Sequence, residues 1–532
     1  MLDADTIVIG SGAGGLTVAL ALARAGERVL VLEQHTHPGG LCHSFNRGGY
    51  RFSPGVHYIG QLGPGGSLRR IYEGLGVAND LSFFEMNPFG FEHIRIGDEA
   101  FDLPGGKDAM AERFKIRFPG LARGIDDYFR LLDTVCKEMA RIPETKSFID
   151  FVTVPFRTWN MGHYGLYSLE RILRNRISDP LLRAFLSIQC GDHGLPPSRI
   201  PFIMHAPVAG HYIDGACYPL GGPGTIPNAL IGGLHKEGGD ILLSTEVEKI
   251  LIEKKGNRRR AIGVRLAGGA ELRSNRVISN ATPHITYDRL VGREHLSLRL
   301  RRKLDRTRYS IAALTLFLVT DLDLESMGMD SGNYWYAPDC DLELIYARAN
   351  DPDTVNEQMP AIFFGITSIK DPSSFREGHH TIEVVRFITY EAFSAYAGST
   401  PGRRPEGYLA LKDKLRAAML RSLERIIPGI SEHVLFCELG TPLTSDHYVR
   451  STRGGCYGTE KSLWQIGPFG FKQFSEIDGL CLCGASILTH GVSGATTSGL
   501  ALAAAILGCR PSELLMETGQ ELRIFPAGQP YQ

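Results

Sequence analysis

Residues 4–33 read ADTIVIGSGAGGLTVALALARAGERVLVLE, and this stretch decides the fold. Thr6–Ile9 is a short apolar run rich in β-branched residues, and it ends at Gly10. Leu16–Arg24 has helix-forming composition, and Gly26 stops it. Arg28–Leu32 is a second apolar run, closed by Glu33. Strand, glycine turn, helix, strand and acid arrive in the order of a dinucleotide-binding βαβ unit. Gly10 permits the tight turn, Gly12 lets backbone approach a pyrophosphate, and Gly15 lets the helix sit close to the strand. Ala13 and Gly14 complete the loop, where free N–H groups and the positive end of the helix dipole meet phosphates. Glu33, with Gln34 beside it, stands where a carboxylate accepts the hydroxyls of an adenosine ribose. A 2′-phosphate would be repelled there, which argues against NADP.

Working outward, PGGLCHSF follows at 38–45. A second glycine pair, Gly39 and Gly40, with Leu41 after it, is not part of a simple NAD pattern. It suits a longer cofactor that the chain must pass closely. At the far end GLCLCG, 479–484, reads as a strand ending in Gly484, and the following helix opens with small residues. These paired segments resemble the N-terminal and C-terminal FAD signatures of the superfamily of FAD-binding amine oxidases, phytoene desaturases and Rab GDP-dissociation inhibitors. The resemblance implies bound FAD. It implies contacts from the first glycine loop, Glu33, Gln34, Gly39, Gly40 and Leu41, from Gly484, Gly491, Val492 and Ala495, and from Val247 against the adenine. The expected fold is α/β: a discontinuous Rossmann-like FAD-binding domain from 1–75, 205–285 and 430–515. An α+β substrate domain from 76–204 and 286–429 would accompany it, with 516–532 as a peripheral tail. Runs such as 312–319, 361–367 and 381–388 predict an antiparallel sheet in the substrate part.

Composition narrows the partners. The 532 residues carry a net charge of −1, so nucleic acid is not expected. There is no apolar run long enough for a membrane span. The strand pattern begins by Asp5, leaving no room for a signal peptide. Ten cysteines without CxxC spacing read as reduced thiols in a cytoplasmic protein, with Cys481 and Cys483 on one face of a strand. The basic, leucine-bearing stretch 296–310 reads either as a peripheral membrane contact or as a solvated charged face. Oligomeric state is not legible.

Three stretches are sharper than the fold: GGYRFSPGVHYIG (48–60), the 190–222 segment with its PPS, and TPLTSDHYVRSTRGGCYG (441–458). They resemble the retinol saturase (13,14-reductase) branch, which also holds carotenoid isomerases. The resemblance implies an enzyme acting on CH–CH groups of a lipophilic polyene, by hydride transfer between flavin N5 and a double bond. A redox-neutral isomerase or a desaturase of carotenoids or polyunsaturated fatty acids stays open on the same scaffold, as does a non-enzymatic prenyl-binding module. No second dinucleotide unit is present. Electrons would enter from an external NAD(P)H or another donor, or the flavin would cycle without net change. Reduction also needs a proton. His57 is the first candidate donor, with Tyr58 beside it; His490, Asp192 and His193 follow. No metal-ligand spacing stands out.

Overall fold

In a computed structural model, residues 2–141, 157–256 and 258–528 are described. The first expectation is met at the chain's start. Strand Ala4–Ile9 is buried along nearly its whole length, as an apolar run sandwiched by helices should be. Helix Ala13–Arg24 follows at once, and Gly26 ends it with φ +91°. Parallel pairing places Val29–Leu32 on one side of the first strand and Glu271–Ser279 on the other. Asp240–Leu242 extends the sheet beyond Val29–Leu32. Leu480–Leu482 extends it beyond Glu271–Ser279. Both ends of the sequence therefore meet in one parallel sheet. A hairpin, Val247–Lys255 with Arg258–Leu266, is added antiparallel at its edge.

A second sheet runs in the order Val434–Gly440, Ala312–Thr320, His380–Ile388, Ile362–Ile366, Asn333–Ala337, Glu92–Ile96 and Glu99–Leu103. It is antiparallel except where Asn333–Ala337 meets Glu92–Ile96. The runs expected to form an antiparallel sheet are its central strands. One boundary differs: Val434–Gly440 lies within the range expected for the nucleotide part, yet it pairs with Ala312–Thr320. Its apolar residues complete the sheet edge next to Leu316 and Leu318. The tail is tied down as well, since Arg523–Phe525 pairs in parallel with Ser82–Glu85, which pairs with Cys217–Pro219.

Period-two alternation sorts the second sheet's side chains. Leu314, Leu316, Tyr334, Phe364 and Val384 enter one core with helix Glu406–Glu424. Trp335 and Phe363 face a second core built on helices Ala122–Ala140, Pro180–Ser187 and Phe202–His211. In the basic stretch, a helix spans Leu298–Arg306, capped by the Ser297 hydroxyl. Leu296 and Leu304 are buried and Leu300 partly so, all in the core under the hairpin. Three leucines of the stretch are thus spent on packing, while Leu298 stays exposed beside the outward-facing Arg299, Arg302 and Arg306. No described helix is long and apolar enough to cross a membrane.

Candidate functional site

The glycine loop is shaped by its neighbours. A Cβ on Gly15 would lie 2.2 Å from the Gly10 carbonyl oxygen, and one on Gly14 would lie 2.9 Å from Ala495 O. Gly15 therefore serves close helix–strand contact, and Gly14 serves contact with helix Gly491–Leu507. No side chain caps the helix that starts at Ala13, so its first N–H groups remain available to an anion. Glu33 is buried. Its Oε2 accepts from Ser11 N (2.9 Å) and Ser11 Oγ (2.7 Å), and its Oε1 accepts from His35 N (2.8 Å). A carboxylate offers about four acceptor directions, so Oε1 retains one for a ribose hydroxyl. Gly39 N donates to the same Ser11 hydroxyl at 3.1 Å, which ties the second glycine pair to the first loop.

One cleft gathers most of the expected cofactor residues. Gly10, Gly12, Ala13, Gly14, Glu33, Gln34, Gly39, Gly40, Leu41, Val247, Gly491, Val492 and Ala495 all line it. Gly15 and Gly484 are not among the lining residues; they sit behind it as spacers. Gly484 takes φ +88°, and a Cβ there would strike Asn280 Oδ1 at 2.3 Å. Asn280 is a residue that sequence reasoning missed. Its amide fills the centre of the loop, 2.6 Å from where a Gly12 Cβ would be, and it lines the cleft. The signal was visible in the small residues around it, but the partner was more than 260 positions away. Gly491 has φ +75° and open space where a Cβ would project. Uncapped helix, ribose acceptor and two bare glycine walls on one continuous cleft fit an extended dinucleotide.

The cleft does not end there. Leu41, Gly55, Gly455, Cys456 and Tyr457 line both it and a second chamber. That chamber is walled by Trp335, Phe363, Val385 and Thr315, which are register partners across four adjacent strands. Ile188, Leu342, Ile345, Tyr346 and Phe387 add to its apolar wall, and His57, Tyr58 and Asp192 supply polar atoms. A largely apolar cavity with a few convergent polar groups is a typical ligand site.

One register step away, the same sheet carries a buried polar row. Glu92 pairs with Asn333, Asn333 with Gly365, and Gly365 with Glu383. The Lys370 ammonium lies over Gly365, bonded to Asn333 Oδ1 and to the His57 carbonyl (3.0 Å). Burial pulls this lysine down to about 8, opposed by Glu383 and Glu92. Ser53 N donates to Glu383 Oε1 at 2.5 Å, and His57 Nδ1 lies 3.2 Å from Glu383 Oε2. The 53–58 loop is thus fastened to the polar row, which aims its two aromatic residues into the chamber. Tyr58 stacks on Tyr212 with centroids 4.1 Å apart, and its hydroxyl donates to Asp192 Oδ2 at 2.8 Å. Burial raises Asp192 to about 7 and Glu92 to about 8, the nearby Asp192 charge adding to the latter.

The other proton-donor candidates fare differently. His490 and His193 are not among the lining residues of either cavity. His490 Nε2 meets the Asp192 carbonyl at 2.6 Å, and its ring packs edge-on against His193. Burial drives His490 down to about 3 and His193 well below the usual range, so both are neutral struts. His490, ranked after His57 in sequence, thus bonds the backbone of Asp192 and does not line the cleft. Glu92, the acid behind Trp335, was not singled out from sequence. Cys481 and Cys483 are free, buried and in one core, as their spacing implied.

Comparisons agree with this geometry. A family model described as an NAD(P)-binding Rossmann-like domain matches residues 8–75. The chain is 30% identical to the all-trans-retinol 13,14-reductase of Danio rerio, over 95% of this chain and 86% of that protein. It is 26% identical to the chloroplastic prolycopene isomerase of Arabidopsis thaliana, over 97% of this chain and 85% of that one. A solved oxidoreductase from Methanosarcina mazei superposes with a TM-score of 0.62 at 18% identity, covering 94% of this chain and 99% of its own, a likeness of fold.

Proposed function

The chain belongs to the family of the all-trans-retinol 13,14-reductases, and from that premise we propose that it is an FAD-dependent enzyme that reduces one carbon–carbon double bond of a lipophilic polyene. The observation that carries this reading is the passage from the dinucleotide cleft, past Leu41, Gly55 and Tyr457, into an aromatic, largely apolar chamber. A flavin, when bound, supplies the hydride chemistry that such a reduction needs. The glycine loop and the helix from Ala13 hold its phosphates, Glu33 its ribose, Val247 its adenine, and the start of helix Gly491–Leu507 its ring end. We assign this task to 1–75, 205–285 and the stretch after Gly440. The second sheet and the helices over Trp335 hold the substrate.

The chain's own residues orient and exclude. Trp335, Phe363, Tyr346 and Phe387 give a long apolar molecule contact without competing hydrogen bonds, and they keep water from the reacting carbons. His57 and the Tyr58–Asp192 pair are the polar groups at hand for the proton. The electron donor is external, NAD(P)H or a redox partner.

Isomerisation without net reduction is the second reading, favoured by the prolycopene isomerase likeness along nearly the whole chain. Product mass separates the two. The protein is reconstituted with FAD, reduced anaerobically and incubated with retinoid and carotenoid polyenes. A gain of two hydrogens is expected. Unchanged mass with altered double-bond geometry selects isomerisation, and a loss of two hydrogens under oxidising conditions selects desaturation. A protein that stays colourless and retains no FAD overturns all three.

A further inference from the structure

One groove lies apart from the cofactor cleft and the chamber. Helix Leu298–Arg306 forms one side of it, and the turns Leu463–Gln465 and Gly467–Phe469 form the other. The helix packs Leu300 and Leu304 inward. Arg299, Arg302 and Arg306 stand three and four positions apart, so they share one outer stripe, and Arg308 joins them just past the helix. Leu298 is 69% exposed at the start of the helix, and Trp464 and Phe469 are 72% and 50% exposed on the facing turns. The two rings meet edge to face with centroids 5.2 Å apart. Three large apolar side chains open to solvent along one groove are more than the scattered single exposures of an ordinary surface.

The charges point the same way. Among the described residues no carboxylate pairs with Arg299, Arg302, Arg306 or Arg308. The acids nearby are engaged elsewhere. Glu460 pairs with Arg199 at 2.6 Å, Asp305 with Arg293, and Glu476 accepts from the backbone and hydroxyl of Ser297. The groove therefore combines exposed aromatic and aliphatic surface with four cations that lack a counter-charge.

We propose that this groove is a docking surface for the anionic leaflet of a lipid bilayer. The inference goes beyond the reductase reading, and its test needs no polyene. An indole has an apolar body and one polar tip, which suits the boundary between headgroups and acyl chains. Phe469 and Leu298 add apolar surface beside it. The guanidiniums meet lipid phosphates and carboxylates, which supply the missing counter-charge. A protein partner would need carboxylates placed to match four arginines, whereas a fluid leaflet brings anions to whatever spacing the arginines set. Docking of this kind lays a helix on the surface and needs no spanning segment.

Consecutive residues connect this face to the candidate site. Tyr457 lines both the chamber and the cleft, Gly458 lines the cleft, and Thr459 lines the groove. Thr459 Oγ1 donates to the carbonyl of Ser486 at 3.1 Å, and Ser486 is again a cleft residue. Docking through the groove thus brings the cleft and chamber next to the lipid phase.

The test uses the full chain with FAD bound. It is sedimented with vesicles of phosphatidylcholine alone, or of phosphatidylcholine with about one-third phosphatidylserine, at low and high salt. Binding to the anionic vesicles should be at least about 10-fold stronger and should fall as salt rises. The triple variant Arg299→Ala/Arg302→Ala/Arg306→Ala should lose that margin. Trp464→Ser/Phe469→Ser should weaken binding about 10-fold while leaving it salt-sensitive. In a Trp159→Phe background Trp464 is the exposed indole, since Trp335 is buried, and brominated lipid should quench its fluorescence. The altered side chains are exposed, so melting temperature and FAD content should match the wild type. Absence of binding to anionic vesicles, undiminished binding of the triple arginine variant, or an unquenched Trp464 overturns the proposal. A dimer in solution that the same substitutions dissolve also overturns it, because a second copy would then fill the groove.

Discussion

Lys370 shows how much one side chain holds in place. It is buried at 1% exposure, its ammonium donates to the backbone of His57, and it offsets the charge of Glu383. Its room is made by Gly365, since a Cβ there would lie 2.2 Å from Nζ. Buried charges rarely add net stability compared with a well-packed apolar substitute, but removing one partner leaves the other uncompensated. Lys370→Met should therefore destabilise the protein by roughly 3–5 kcal/mol. The double variant Lys370→Met/Glu383→Gln should recover a substantial part of that loss. Urea unfolding of the wild type, both single variants and the double variant measures the coupling. Additive losses would mean that Lys370 and Glu383 do not act as a unit, and that something else aims the 53–58 loop.

At the scale of elements, the two glycine-rich helices are the point where the ends of the sequence touch. A Cβ on Gly499 would lie 2.2 Å from the Gly14 carbonyl, a backbone atom that cannot swing aside. Gly499→Val should push helix Gly491–Leu507 off helix Ala13–Arg24, cost about 1–3 kcal/mol and loosen FAD retention. Thermal melts with and without added FAD check both effects; an unchanged melting temperature would mean that the helices can separate freely. The sequence made these elements legible because each is local. A β-branched run, a glycine triad and a small-residue helix declare themselves within about 30 positions. The same holds for the antiparallel runs of the second sheet. Asn280 and Glu92 were not legible. Asn280 matters because five glycines from two distant segments surround it, and Glu92 matters because strand register sets it beside Trp335, 243 positions away. Nothing short of the sheet pairing carries that information. For a related reason, the position of His490 before a cofactor-side helix does not fix where its ring turns. The leucines of 296–310 are ambiguous in sequence because a buried apolar stripe and a membrane-facing one have the same period.

For the whole molecule, the decisive fact is that a sheet built from both termini opens onto a cavity walled by the other sheet. On the proposed reading, FAD spanning the cleft would be held by Glu33 and Val247 at its adenosine end and by Val492 and Ala495 at its ring end, all of which line that cleft. That arrangement separates FAD from FMN, which has the ring and one phosphate but no adenosine. Ligand that binds only the folded state stabilises it by about 2.7 kcal/mol at a hundredfold excess over Kd. FAD should thus raise the melting temperature clearly more than FMN at equal concentration. Glu33→Ala should erase most of the difference, because on the proposed reading Glu33 is the ribose acceptor at the adenosine end. The FMN response of Glu33→Ala should stay near that of the wild type, which guards against a simple loss of fold. Equal shifts from the two flavins in the wild type would mean that the adenosine half of the cleft is idle. The chain's two ends would then be joined for stability alone.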